Sequence, residues 1–251
     1  MKAIILAAGT GTRLRPLTEN KPKCMVAYKN KPIIDSILET MHSCKISEIA
    51  LVNGYKKDVL ELYLKDKQIK FYTNSDFATT NMVTTLFKAK SFMDDDLIIS
   101  YGDIVYEKKV LKKLLESKSD FSVVVDREWR ALWAQRMENP LDDAETLKIK
   151  DEKIVELGKR PKSYDEIEGQ YIGLIKISKK ILDELIRFYE NLDTQAVYDG
   201  KDYNNMYMTS FIQMAIDHLV DVTPVYIDGG WVEVDSVEDL QVYMIEKDCE
   251  V

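Results

Sequence analysis

Gly9, Gly11, Arg13 and Lys23 follow an apolar run, Ala3 to Ala8, at the start of the chain. A strand that ends in a glycine loop exposes backbone N–H groups, and these bind anions. Two cations beside the loop bring positive charge to the same place, so the combination suits a polyphosphate. Two glycines in a loop say little alone, and the string is neither a P-loop nor a dinucleotide-binding fingerprint. Two acids stand far downstream: Asp103, after a predicted strand, and Asp235, in WVEVDSVEDL. Carboxylates distant in sequence are the oxygen donors that a hard ion such as Mg2+ takes, and Mn2+ accepts the same set. Glu233 lies two residues before Asp235, so on a strand both point to the same side and Glu233 can join the pair. Each acid also has a plain alternative. Gly102-Asp103 is a common turn, and Asp235 precedes a helix whose dipole favours an acid, although Ser236 already caps that helix.

Residues 2–7 predict a first strand, apolar on both sides as a central strand covered by helices should be. Residues 8–30 are longer than an ordinary strand-to-helix connection, and loops of that length in a compact domain are mostly functional. Pro32 opens a helix whose buried stripe is Ile33, Ile34, Ile37, Leu38 and Met41. Predicted strands at 49–52, 69–72, 97–101 and 121–125 alternate with helices near 59–64, 81–92 and 107–117. That alternation predicts an α/β fold with a mostly parallel central sheet flanked by helices. Open sheets of this kind place their ligand crevice at the carboxyl ends of the strands, where the glycine loop and Asp103 would meet.

After Asp126 the rhythm breaks. The segment DREWRALWAQRMENPLDDAE has no clear period. Residues 147–149 and 154–157 read as a hairpin, and 171–177 as a strand. Ser178 caps a helix, 193–206 is a polar loop, and 211–219 is helical. Strands at 222–227 and 232–234 precede the last helix. The expectation is one domain over 1–251, with an inserted, lid-like acceptor-binding region from about 127 to 206.

The 251 residues are 45% hydrophobic and 31% charged, which suits a globular chain with a sizeable core. A net charge of -8 argues against a nucleic-acid or anionic-membrane binder, though not against a local basic pocket. No apolar run approaches the ~20 residues of a membrane span, and the amino terminus lacks the apolar core of a signal peptide. Cys24, Cys44 and Cys249 have no metal or disulfide spacing and read as reduced thiols of a cytoplasmic protein. His42 and His218 lie in helical patterns, so a zinc site or a Ser-His-Asp triad is not expected.

The whole string AAGTGTRLRPLTENKPKCMV resembles the signature of nucleotidyltransferases that join an NTP to a phosphorylated small molecule. The resemblance implies a Rossmann-like fold whose loop, with Leu6, Ala8, Gly9, Gly11 and Thr12, wraps the triphosphate. It implies that Arg13 contacts the leaving pyrophosphate and that Lys23 stabilises charge at the α-phosphate. Asp103 and Asp235, with Glu233, would share the Mg2+ cofactor, and Arg13, Lys23 and Asp103 would be the catalytic set. NSDFATTNMVTTLF resembles, most clearly at Asn74 and Asn81, the segment with which CTP-dependent members hold cytosine and ribose. That points to Thr80, Asn81 and Thr85, whose amide and hydroxyls match the donor and acceptor on a cytosine edge. Thr80, Asn81 and Thr84 are also good helix caps.

NPLDDAE and IEGQYIGL resemble the cytidylyltransferases that act on phosphocholine, phosphonates or related acceptors. The acceptor residues implied are Asp126, Arg127, Trp129, Arg130, Trp133, Arg136, Lys159 and Arg160, with Glu168 and Tyr171, although each cation reads equally well as a surface charge. Trp129 and Trp133 suit either an aromatic box for a quaternary ammonium or packing, and Trp231 reads as packing. The implied reaction transfers CMP from CTP to a small phosphorylated acceptor. L-glutamine phosphate, used in capsule phosphoramidate synthesis, is the acceptor best matched. Phosphocholine, an aminoalkylphosphonate or a sugar 1-phosphate are the alternatives, and a homo-oligomer is left open. A non-catalytic nucleotide-binding regulator would be expected to lack Arg13, Lys23 or one of the aspartates, and all are present.

Overall fold

β1 (Lys2–Ala7) is buried from Ala3 to Ala7 and forms the middle of the sheet. The structure, a computed structural model, describes residues 1–245, with side chains through Tyr243. After β1, a long loop carries the short hairpin of β2 (Ala27–Tyr28) and β3 (Lys31–Pro32). Then come α1 (Ile33–Ser43), β4 (Glu48–Asn53), α2 (Lys57–Tyr63), β5 (Ile69–Thr73) and α3 (Met82–Phe87). β6 (Leu97–Tyr101), β7 (Ile104–Tyr106), α4 (Lys108–Glu116), β8 (Phe121–Asp126) and α5 (Trp129–Arg136) follow. The hairpin β9 (Leu147–Lys150) and β10 (Lys153–Leu157) leads to β11 (Gln170–Ile177) and α6 (Lys179–Glu190). A second small hairpin, β12 (Val197–Tyr198) and β13 (Lys201–Asp202), precedes α7 (Met208–His218), β14 (Thr223–Ile227), β15 (Trp231–Glu233) and α8 (Val237–Ile245).

The main sheet has the order β14-β8-β11-β6-β1-β4-β5. β11 alone runs against its neighbours, β6 and β8, and the other pairings are parallel. Apolar side chains fill both faces. Ile33, Ile34, Ile37, Leu38 and Met41 of α1 cover one, and α3, α6 and α7 cover the other. Each such buried side chain contributes about 1.5–3 kcal/mol.

Several local readings are corrected. Pro32 is the N-cap of α1, one residue before its first turn. The helix expected over 81–92 stops at Phe87, and Lys90–Phe92 is a separate 3-10 turn. Trp129–Arg136 is a helix that has no periodic apolar stripe, and Trp129 and Trp133, one turn apart, anchor it in the core. The strand expected at 171–177 is β11, in the interior of the main sheet. β7 continues the chain after Asp103 and pairs with β15, Glu233 against Ile104. The amide of Val234 donates to the carbonyl of Asp103 at 2.9 Å. This small ladder brings the two distant aspartates side by side. Cys249 lies outside the described residues.

Candidate active site

The loop after β1 turns sharply at Gly11, whose φ of +60° favours glycine. A Cβ there would lie 3.0 Å from Cβ of Lys23, so the absence of a side chain lets Lys23 pack against the turn. The hydroxyl of Thr18 donates to the Gly11 carbonyl at 2.7 Å and pins the loop back on itself. Lys23 is thereby aimed at the carboxyl end of β6. Its ammonium donates to Asp103 Oδ2 and to Asp235 Oδ1, at 2.6 Å each. Arg13, largely exposed, pairs with the other oxygen of Asp235. Burial alone would lower the Lys23 pKa, but Asp103, Asp235 and Glu233 outweigh it and hold the ammonium above the ordinary lysine range.

These groups border a cavity of about 320 Å3. Leu6, Ala8, Gly9, Gly11, Thr12, Arg13 and Lys23 line it, as do Thr80, Asn81, Thr85, Asp103 and Asp235. Apart from Asn74, the residues expected around a nucleotide therefore meet in one place. Phe77, Met82 and Tyr101 complete the wall; nothing in their local pattern marks them. Asn81 caps α3, its side-chain oxygen accepting from the Met82 amide at 2.8 Å, and it still borders the cavity. Asn74 is fully buried and donates to the hydroxyls of Thr80 and Thr85, both at 2.9 Å. It braces the wall from behind.

A second cavity of about 200 Å3 adjoins the first, and Met82 and Tyr101 border both. Its wall includes Trp133, Asp143, Glu145, Gln170, Tyr171, Thr209, Trp231 and Glu233. Gly173 (φ +81°) sits at a bulge of β11, where a Cβ would fall 2.4 Å from the Tyr101 ring. Of the residues expected at the acceptor, Trp133 and Tyr171 lie here. Arg127 is on the surface in a double hydrogen bond with Asp228, at 2.9 Å each. Lys159 pairs with Glu156, and Glu168 accepts from the Ile149 amide at 2.7 Å. None of the three lines either cavity. Trp129 is core, and Trp231 gives its indole N–H to the buried Asp126 at 2.7 Å.

Glu233 is also placed differently from expectation. Its carboxylate pairs with Arg136 at 3.0 Å, and burial, with Asp103 nearby, pushes its pKa up to about 7 against the pull of Arg136 and Lys23. Among the described residues no three His, Cys, Asp or Glu side chains converge in metal-holding geometry. Asp103 and Asp235 are thus a pair, not a trio. Arg136 has another partner, Asp239, in a double hydrogen bond at 2.8 and 3.2 Å. Oδ2 of Asp239 accepts from the amides of Asp235 and Ser236 at 2.8 and 2.9 Å. α5 and α8 so fix the backbone at Asp235. Arg136, expected around the acceptor, is instead a buried support of this corner.

The nucleotidyl transferase family model matches residues 2–131. The chain is 52% identical over 254 residues to the CTP:phosphoglutamine cytidylyltransferase of Campylobacter jejuni subsp. jejuni serotype O:2, covering 98% of this chain and 100% of that one. It is 36% identical over 124 residues to the choline-phosphate cytidylyltransferase of Streptococcus pneumoniae, covering 49% of this chain and 53% of the relative. The fold is shared with the inositol-1-phosphate CTP transferase of T. maritima: TM-score 0.76, 19% identity, 100% of this chain and 97% of that one. It is shared also with the CTP:phosphocholine cytidylyltransferase of Streptococcus pneumoniae: TM-score 0.73, 22% identity, 99% of each chain.

Proposed function

The chain belongs to the nucleotidyl transferase family, and we propose that it transfers CMP from CTP to a small phosphorylated acceptor, best L-glutamine phosphate, with release of pyrophosphate. One observation carries the reading: the Lys23 ammonium bridges Asp103 and Asp235 in a cavity walled by the glycine loop. Cations and paired carboxylates that meet at one wall of the cavity suit a triphosphate that must lose two of its phosphates. The choice of CTP rests on Thr80, Asn81 and Thr85 in the wall and on the 52% identity to a CTP-dependent enzyme.

The reaction is an in-line displacement. An anionic phosphoryl oxygen of the acceptor bonds to the α-phosphorus, the bond to the bridging oxygen breaks, and pyrophosphate leaves with the electron pair. The nucleophile is already ionised, so alignment and charge neutralisation suffice. The glycine loop holds the triphosphate by its backbone amides. Lys23 faces the equatorial oxygens at the α-phosphorus, and Arg13, on the open side, takes the leaving pyrophosphate. The second cavity holds the acceptor, and Tyr101 and Met82 at the junction set how the two substrates meet.

The residues fit a divalent ion. Asp103 Oδ1 is buried with no partner, and the other oxygen of Asp103 and one of Asp235 converge on a single cationic group. Asp103 and Asp235 would hold Mg2+, which when bound supplies neutralising charge to the phosphate oxygens between nucleotide and acceptor. No helix among the described residues is long and apolar enough to cross a membrane. A cytoplasmic enzyme that supplies activated acceptor for capsule assembly is consistent with this reading. Pyrophosphate release from CTP and L-glutamine phosphate in the presence of Mg2+ tests it; release that needs no acceptor, or none with any acceptor, would refute it.

A further inference from the structure

Among the described residues, the wall of the second cavity contains no Lys, Arg or His. Asp143, Glu145 and Glu233 bring carboxylates to it, and Glu233 is paired with Arg136. Glu145 Oε1 accepts from the Thr209 hydroxyl at 3.3 Å, and among the described residues neither Glu145 nor Asp143 forms an ion pair. Trp133 lines the same cavity, is 5% exposed, and has a buried indole N–H with no partner among the described residues. One part of the wall therefore offers negative acceptors without a cation, and another offers a donor without an acceptor. A phosphoryl group is repelled by Asp143 and Glu145 and drawn toward the first cavity, which Lys23 lines. The acceptor enters with its other end at the two acids.

That other end carries positive charge, and it carries N–H. A quaternary ammonium satisfies an aromatic wall but has no hydrogen to give a carboxylate, whereas a primary ammonium has three. Charge-assisted hydrogen bonds of this kind are about twice as strong as neutral ones. We propose that Asp143 and Glu145 bind the primary ammonium of a zwitterionic acceptor, an amino-acid phosphate, while the Trp133 N–H takes one of its carboxylate or amide oxygens. This rests on the cytidylyltransferase reading above. It makes Asp143 and Glu145 the residues that separate such acceptors from phosphocholine and from sugar phosphates.

The test measures pyrophosphate release with CTP, Mg2+ and either L-glutamine phosphate or the same compound acetylated on its α-nitrogen. Acetylation is expected to raise the acceptor KM roughly 10- to 100-fold and leave the CTP KM unchanged. Glu145→Gln and Asp143→Asn should raise the KM for the free-amine acceptor by a similar factor and add little for the acetylated one, with melting temperatures no lower than the parent's. Equal use of the two acceptors, or equal losses on both in the variants, overturns the proposal. Should neither acceptor release pyrophosphate, the transfer reading fails for this acceptor. Calorimetric titration of L-glutamine and N-acetyl-L-glutamine into the CTP-loaded protein then decides the subsite. Preference for the free amine that Glu145→Gln abolishes supports it; equal affinity, or binding of neither, overturns it.

Discussion

The Lys23 ammonium lies 2.6 Å from Asp103 Oδ2 and the same distance from Asp235 Oδ1, so one lysine holds together two acids far apart in the chain. Removing either partner has a different consequence. Lys23→Ala should lower kcat by about 10²–10³, the usual cost of losing one preorganised transition-state donor. Steady-state kinetics decide the role: a change confined to KM would mark Lys23 as a ground-state binder.

Asp103→Asn keeps the size of the side chain and removes the charge that the Mg2+ assignment needs. Turnover should fall below detection while the far-ultraviolet circular dichroism and melting curve stay near those of the parent. Near-full activity at saturating Mg2+ would remove Asp103 from the metal assignment.

Arg136 acts through Asp239, whose carboxylate is 5% exposed and holds the Asp235 amide. Arg136→Ala leaves that buried acid unpaired and should cost about 3–5 kcal/mol of stability, together with a loss of kcat. Arg136→Lys restores charge but not the two-pronged geometry, so it should recover only part of either. Urea unfolding alongside kinetics checks both, and a stable, fully active Arg136→Ala would contradict the link to Asp235.

Gly173→Ala puts a methyl group into the Tyr101 ring at a backbone φ that disfavours it. The expected loss is about 1–3 kcal/mol, and because Tyr101 borders both cavities, the KM values for nucleotide and acceptor should rise together. A rise in one alone would show that Tyr101 does not join the two sites.

Burial, with Asp143 and Asp199 nearby, pushes Glu145 up to about 7 from an ordinary 4.5, against the Thr209 hydrogen bond. A carboxylate whose folded pKa is raised carries no penalty below its unfolded pKa and the full penalty above its folded one. Its cost to stability therefore grows as pH rises from about 4.5 to about 7. Glu145→Gln should melt close to the parent at pH 4.5 and above it at pH 8. The same difference at both pH values would contradict the burial of a charged Glu145.

The glycine loop, Asp103 and the capped segment at Asn81 were legible because each is local: a turn, a strand end and a helix start announce themselves over a few residues. The pairing of β7 with β15 was not, since the strands are short and lie far apart in the chain. α5 escaped for a different reason: its buried anchors are only Trp129 and Trp133, and Arg130, Gln135 and Arg136 around them leave no clear apolar period. The acceptor cavity was the least legible. Glu145, Gln170 and Thr209 come from three segments that meet only in the fold, joined by bonds such as Gln170 Nε2 to the Glu145 carbonyl at 2.6 Å. Arg127 and Lys159 had the right charge for a phosphate, but neighbouring acids hold both on the surface.

The most direct measurement is pyrophosphate release by the purified protein with each of CTP, UTP and dTTP against L-glutamine phosphate, phosphocholine and glucose 1-phosphate. The geometry predicts Mg2+-dependent release with CTP and L-glutamine phosphate, weaker release with phosphocholine, and none with glucose 1-phosphate. Efficient release with glucose 1-phosphate and UTP or dTTP would contradict it.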